Sequence, residues 1–206
     1  MGAPMPTIGV LALQGGYAAH AAALADLGLA ARLVRRPHEL DGLDGLIIPG
    51  GESTVLLRFL ESEGFFARLA AFARLHPVFG TCAGCILMAA QVLDPAQPSL
   101  GCLDVAVRRN AYGRQNDSVV HAGRTLLPGP DLEMVFIRAP RIERHGADVE
   151  ILAWRETWPV LVKAGHHLAA TFHPELGRDR RVHRLFLDMV AVHQSRRAAT
   201  PAPLLR

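Results

Sequence analysis

An open, mostly parallel α/β sheet flanked by helices, with an antiparallel extension, is the fold class that this sequence predicts. Three observations lead there. Short continuous apolar runs stop abruptly at glycine or proline, as strands buried on both faces do. Stretches of helical spacing lie between those runs over residues 8–92. Residues 103–172 instead hold strand-like runs divided by turn residues, with little helical periodicity.

The elements follow in order. Ile8–Leu13 is an apolar run ended by Gly15-Gly16, and Ala19, Ala23, Leu24 and Leu27 then recur at helical spacing until Gly28 stops them. Ala31–Val34 is a second short strand, completing a β-α-β opening. Leu43–Ile48 is a third, broken by Pro49-Gly50-Gly51, after which Ser53 or Thr54 is the expected cap of a helix through Leu56, Leu57 and Leu60. A helix over about Phe65–Leu75 leads to a brief strand, Pro77–Gly80, and then to an apolar helix expected over Cys85–Val92. Strands alternating with helices imply a mostly parallel sheet. Leu103–Val107, Met134–Ile137, Val149–Trp154, Val160–Ala164 and Leu168–Phe172 are the strands of the expected antiparallel addition. A last helix over about Arg180–Gln194 places Val182, Leu185, Phe186, Met189 and Val190 on one stripe. The expected organisation is one domain over residues 1–195 and a flexible tail over 196–206, because 206 residues, half of them hydrophobic, suffice for one substantial core but are short for two.

Composition removes several classes. A net charge of +3, scattered arginines and 6% aromatics give no basic stripe with stacking rings, so nucleic acid is not an expected partner. No apolar run approaches membrane-spanning length, and Pro6 stands where a myristoylation signal needs Ser or Thr. Three cysteines without a repeating spacing argue against a disulfide framework and for a reducing compartment, with the cytoplasm as the expected location. No H-E-x-x-H, paired C-x-x-C or G-x-x-x-x-G-K-[ST] pattern is present, so neither zinc nor a phosphate loop is expected.

Chemistry concentrates in three places. Gly80-Thr81-Cys82-Ala83-Gly84 has the G-x-C-x-G form of a nucleophile elbow between a strand and a helix, with glycines that permit a sharp turn. Taken alone, a free cysteine is usually a small buried hydrophobe, which is the reading for Cys85 and Cys102. Phe172-His173-Pro174-Glu175 follows the last strand. Pro174 biases His173 toward an extended conformation, in which Glu175, two residues on, reaches one ring nitrogen while the other takes a thiol proton. Among ten histidines most are surface or satisfied core groups, and His76, His166 and His167 are read so. Pro49-Gly50-Gly51-Glu52-Ser53 is either a plain turn with a helix cap or, jointly with the other two motifs, a source of backbone N–H groups. The N–H of Gly51, with that of Ala83, would then hold the oxyanion of a tetrahedral intermediate.

PGGES, GTCAG and FHPE, in that order and at these distances, resemble the class I glutamine amidotransferases. Four further segments narrow the resemblance: LALQGGYAAH at Leu11–His20, PGGEST at Pro49–Thr54, RNAYGRQNDS at Arg109–Ser118 and FIRAPRIE at Phe136–Glu143. They are similar to the glutaminase subunits of pyridoxal 5′-phosphate synthases, from Ile8 to about His193. The resemblance implies Cys82 as nucleophile, His173 as general base and acid, and Glu175 as its orienting carboxylate. It implies Gly50, Gly51, Glu52, Arg109, Ile137 and Arg138 as contacts for L-glutamine, although Arg109 and Arg138 by themselves read equally well as surface arginines. It implies no cofactor and no metal. The ammonia product would pass to a barrel-shaped synthase subunit in a hetero-oligomer, which makes pyridoxal 5′-phosphate, vitamin B6, and without which the glutaminase would be nearly inactive.

Two other readings compete: a glutaminase serving another synthase, such as the imidazole glycerol phosphate synthase of the histidine pathway, and a non-catalytic binding subunit on the same fold. A related peptidase is a third. Departures from the resembled pattern are Cys85, in place of an aliphatic residue, Asn116, in place of an apolar one, and the unmatched tail after Gln194.

Overall fold

The computed structural model describes residues 5–111 and 118–199. In chain order the elements are β1 (Ile8–Leu11), α1 (Tyr17–Ala25), β2 (Arg32–Val34), β3 (Gly45–Ile48), α2 (Ser53–Leu60), α3 (Phe65–Leu75), β4 (Val78–Thr81), α4 (Ala83–Met88) and β5 (Ala89–Leu93). They continue with β6 (Leu103–Arg108), β7 (Ser118–Gly123), β8 (Leu132–Ile137), β9 (Arg141–His145), β10 (Glu150–Arg155), β11 (Trp158–Ala164), β12 (His167–Ala170) and α5 (Arg181–Ala199).

A seven-stranded sheet has the order β10-β11-β12-β4-β3-β1-β2. Its five strands from β12 to β2 are parallel, while β11 and β10 extend it antiparallel. The central strands are buried on both faces, so their apolar runs alternate between two cores. Leu46 and Ile48 pack with α2, α3, α4 and β5–β6 on one side. Ile47, between them, packs with Phe79, Leu24, Phe186 and Val190 on the side of α1 and α5. Because β12, β4, β3 and β1 are parallel neighbours, their carboxyl ends lie along one edge. The order turns at β1, between β2 and β3, and such a switch point opens a crevice at that edge.

Several sequence expectations are corrected. The apolar run after Cys82 is not one helix to Val92: α4 stops at Met88, Ala89 turns to an extended conformation, and β5 pairs in parallel with β6. Exposed Ala90 and Gln91 before buried Val92 mark the change of period. The middle strands do not all join the main sheet. β5-β6-β9 form a separate three-stranded sheet and β7-β8 a hairpin; among the described residues only β10 and β11 add antiparallel strands to the main sheet. Neither Ser53 nor Thr54 caps α2. The residue at the cap is Glu52, and the two hydroxyls donate instead to Gln97 Oε1 at 3.0 Å and Glu52 Oε1 at 3.1 Å. β12 ends at Ala170, before Phe172. α5 continues past Gln194 to Ala199, where His193 Nε2 bonds the Leu75 carbonyl at 2.9 Å and Arg197 bonds His76 at 3.3 Å. Arginines in the last turn suit the negative end of a helix. Asn116 and residues 200–206 lie outside the described residues.

Candidate active site

Four neighbouring strands each deliver one loop to the same edge. β1 leads to Gln14-Gly15-Gly16, β3 to Gly50-Gly51-Glu52, β4 to Cys82, and β12 to His173 and Glu175. The loops interlock through backbone. Gly16 N–H donates to the Gly50 carbonyl at 3.1 Å, Gly50 N–H to Thr81 Oγ1 at 3.0 Å, and Cys82 N–H to the Ala170 carbonyl at 2.9 Å.

Cys82 sits between β4 and α4 at φ 47° and ψ −103°, a strained conformation for a residue with a side chain. Its thiol lies 3.9 Å from the Ile137 carbonyl, and Cys82 and His173 sit side by side against Gly50. The flanking glycines are there for contact rather than for φ. A Cβ on Gly80 would stand 2.6 Å from the Gly84 carbonyl oxygen, and one on Gly84 would stand 2.1 Å from that of Ile48. Only without those side chains can α4 lie against β3 and β4. Ala83, the first helical residue, has no carbonyl of its own helix to receive its N–H.

His173 is tied to the hairpin by its N–H, which donates to Val135 at 2.8 Å. Its Nδ1 lies 2.7 Å from Glu175 Oε1, so the ring donates there and its other nitrogen is left for Cys82. Burial opposes charge on this ring, but hydrogen bonds to Cys82 and Glu175 and their negative charges push its pKa up to about 10. Glu175 is buried too, and burial favours its neutral form. The hydrogen bond from His173 and the nearby rings outweigh that and hold its carboxyl below the usual range. Gly16 makes room for it, since a Cβ there would stand 3.1 Å from Glu175 Oε1.

A cavity of about 320 Å³ opens over these groups, at the small end of small-molecule sites. Cys82, His173 and Glu175 line it together with Gly50, Gly51, Glu52, Arg109, Ile137 and Arg138. Arg109 Nη2 lies 3.4 Å from Glu52 Oε1 across the mouth. Arg138 is exposed at φ 43° at the end of β8, so it is presented on a turn rather than packed.

The SNO glutamine amidotransferase family matches residues 10–192. The chain belongs to that family. Among its relatives, the pyridoxal 5′-phosphate synthase subunit PdxT of Koribacter versatilis is 55% identical over 89% of this chain and 95% of its own. That of Thermotoga maritima is 48% identical over 89% and 98%. A solved structure described as a glutamine amidotransferase has a TM-score of 0.84 at 42% identity, covering 90% of this chain and 99% of its own. A component of the PurLQS structure from Thermotoga maritima has a TM-score of 0.66 at 16% identity, which shows the shared fold alone.

Every candidate residue but Ala83 lines the cavity, and buried Ala83 follows the nucleophile position directly. Sequence reasoning did not single out Gln14, whose Oε1 accepts the Glu52 N–H at 3.1 Å and whose amide fills the space a Gly51 side chain would need. It also missed Asn110, Ile86 and Leu176 in the lining and the buried His20 and His183 behind it. For Gln14 and Gly16 a signal existed, their place just after a central strand. Cys85 and Cys102 lie outside the cavity lining, and burial pushes both thiols up to about 12. His76, His166 and His167 lie outside the cavity lining. Arg180 and Arg181 are structural ties, to Asp26, to Asp179 and to the carbonyls of Pro128 and Pro130.

Proposed function

We propose that this chain hydrolyses L-glutamine to L-glutamate and ammonia, as the glutaminase subunit of a pyridoxal 5′-phosphate synthase. The observation that carries the reading is the alignment of Cys82, His173 and Glu175 at the floor of a cavity sized for a free amino acid, in a chain so similar to PdxT subunits.

In this reading the Cys82 thiolate attacks the side-chain amide carbon of glutamine. The carbonyl oxygen takes up negative charge facing the N–H groups of Ala83 and Gly51. Gly50 N–H is already committed to Thr81. Losing one such donor typically costs about 3 kcal/mol of transition-state stabilisation. The C–N bond then breaks as His173 gives its proton to the departing ammonia. Water, deprotonated by His173, cleaves the glutamyl thioester and regenerates the thiol. Glu52 suits the substrate ammonium and Arg109 or Arg138 its carboxylate, and the Glu52–Arg109 pair marks where that zwitterionic head would lie. The ammonia passes to a barrel-shaped synthase subunit in a hetero-oligomer, in the cytoplasm, and residues 1–195 act as one glutaminase domain.

The test is glutamate release from glutamine by the purified chain, with and without the synthase subunit from the same organism. Release that rises strongly with that partner is expected, and Cys82→Ala should abolish it while partner binding and fold persist. Release that appears only with a different synthase would refute the pathway. Substantial turnover by Cys82→Ala would refute the nucleophile.

A further inference from the structure

Behind the triad lies a group of side chains that the chemistry above does not use. His20 on α1 and His183 on α5 are fully buried, as is Thr81 at the end of β4. His20 Nδ1 is 3.0 Å from His183 Nε2, and His20 Nε2 is 3.0 Å from Thr81 Oγ1 and 3.4 Å from Glu175 Oε2. Thr81 Oγ1 is also the acceptor for Gly50 N–H. Phe79 meets both histidine rings edge-on, which restricts their tilt.

One tautomer suits this arrangement better. Among the described residues Glu175 Oε2 has no hydrogen-bond partner, and it lies 3.4 Å from His20 Nε2, so a lone pair facing it from His20 would be repulsive, whereas an N–H is attractive. The proton of His20 therefore sits on Nε2, shared between Thr81 and Glu175. Thr81 Oγ1 uses its two lone pairs for His20 and Gly50. His20 Nδ1 then accepts from His183 Nε2, which leaves His183 Nδ1 as the unprotonated, unpartnered atom that is found there. The opposite assignment would bury an unpaired N–H on His183, whereas this one takes the His20 acceptor from the buried Thr81 O–H, so each strands one donor and the carboxylate of Glu175 beside Nε2 decides between them. Burial pushes the pKa of His20 down to about 4, so the ring stays neutral despite the carboxylate beside it.

We propose that His20 is a positioning residue of the glutaminase reaction. Through the single proton on Nε2 it holds both the carboxylate that orients His173 and the hydroxyl that anchors the Gly50 loop, with His183 donating to Nδ1. This rests on the glutaminase reading above, and it couples the base side of the site to its oxyanion side through a residue that touches no substrate.

The experiment uses the full chain with its synthase partner and compares wild type, His20→Leu, His20→Gln, His20→Asn, Thr81→Val and Thr81→Ser. His20→Leu should lower kcat for glutamate release about tenfold, the worth of one well-placed hydrogen bond, with KM for glutamine changed less than about twofold. His20→Gln, whose amide nitrogen can occupy the Nε2 position, should recover most of that loss. Thr81→Val should lower kcat and Thr81→Ser restore it through the Gly50 anchor. If His20→Leu does not fold, His20→Asn, whose amide is too short to reach Thr81 and Glu175, decides the matter, with a kcat equal to that of His20→Gln overturning the proposal. Wild-type kcat in folded His20→Leu, or no recovery in His20→Gln, overturns the proposal while leaving the glutaminase reading intact. A wild-type complex that releases no glutamate takes both down.

Discussion

A histidine that must both take and give a proton depends on the charge behind it. Glu175 Oε1 stands 2.7 Å from His173 Nδ1, and its negative charge is one of the causes that lift the ring to about 10 in spite of burial. The sign of a substitution follows directly. Glu175→Gln keeps an acceptor but removes the charge, so the imidazolium is less stable and its proton is lost at lower pH. The step that needs that proton, protonation of the departing ammonia, should then fail earlier on the alkaline side. Measured from pH 6 to 11 in the synthase complex, the alkaline limb of kcat should move toward neutrality, with kcat at pH 8 lower by roughly 10²- to 10⁴-fold, the range of a general acid–base contribution. An alkaline limb at the wild-type position would show that the carboxylate does not tune the ring.

At the scale of elements, the site depends on how closely α4 lies against β3. Gly84 has an ordinary φ, and what excludes a side chain is the Ile48 carbonyl oxygen 2.1 Å from where its Cβ would be. Backbone cannot yield as a flexible side chain does, so Gly84→Ala must push α4 away and carry Cys82 with it. A destabilisation of about 1–3 kcal/mol is expected, visible as a fall of several degrees in the thermal midpoint, together with a larger loss of glutamate release. An unchanged midpoint with full turnover would refute the packing argument. That position also shows what the sequence made legible. G-x-C-x-G was readable as an elbow, yet the reason for its glycines was not, because it lies in β3, remote along the chain. The parallel strands and their carboxyl-end loops were readable because burial on both faces makes continuous apolar runs. β5 was not, since Ala89–Leu93 continues the apolar run of α4 and periodicity cannot separate a short buried helix from a strand. β9 was hidden by charge: Arg141 and Glu143 face outward and pair with each other and with Arg108. His20 and His183 meet across 163 positions, and no local pattern reports such a contact.

Across the whole molecule, the same burial that serves the site makes the fold sensitive to acid. His20, His167 and His183 are buried and neutral, with pKa values pushed down to about 4, 3 and 3, against 6.5 for an unhindered histidine. Burial is the largest cause in each, helped at His167 by the neighbouring His166 and His193 and opposed at His20 and His183 by Glu175. Below pH 6.5 the unfolded chain therefore binds protons that the folded chain refuses, so stability is full above that pH and is lost as the pH falls toward 4 and 3. Each proton taken up on unfolding tilts the balance by about 1.4 kcal/mol per pH unit, so the three together remove roughly 4 kcal/mol per unit once all are charged in the unfolded state. Over two units that is about 8 kcal/mol, enough to unfold a domain in the lower part of the usual range of about 5–15 kcal/mol. Glu175, whose carboxyl is held below its usual range, adds to the loss only further into acid, below 4.5. His173, lifted to about 10, works the other way at higher pH, so the thermal midpoint should rise slightly from pH 8 to 7 and then fall steeply from pH 6 to 4. His167→Leu removes one of the three proton sites away from the cavity and should make that slope shallower by about a third. A midpoint that stays level to pH 5 would mean that these histidines charge without unfolding the chain, and that the interior at His20 and His183 admits water.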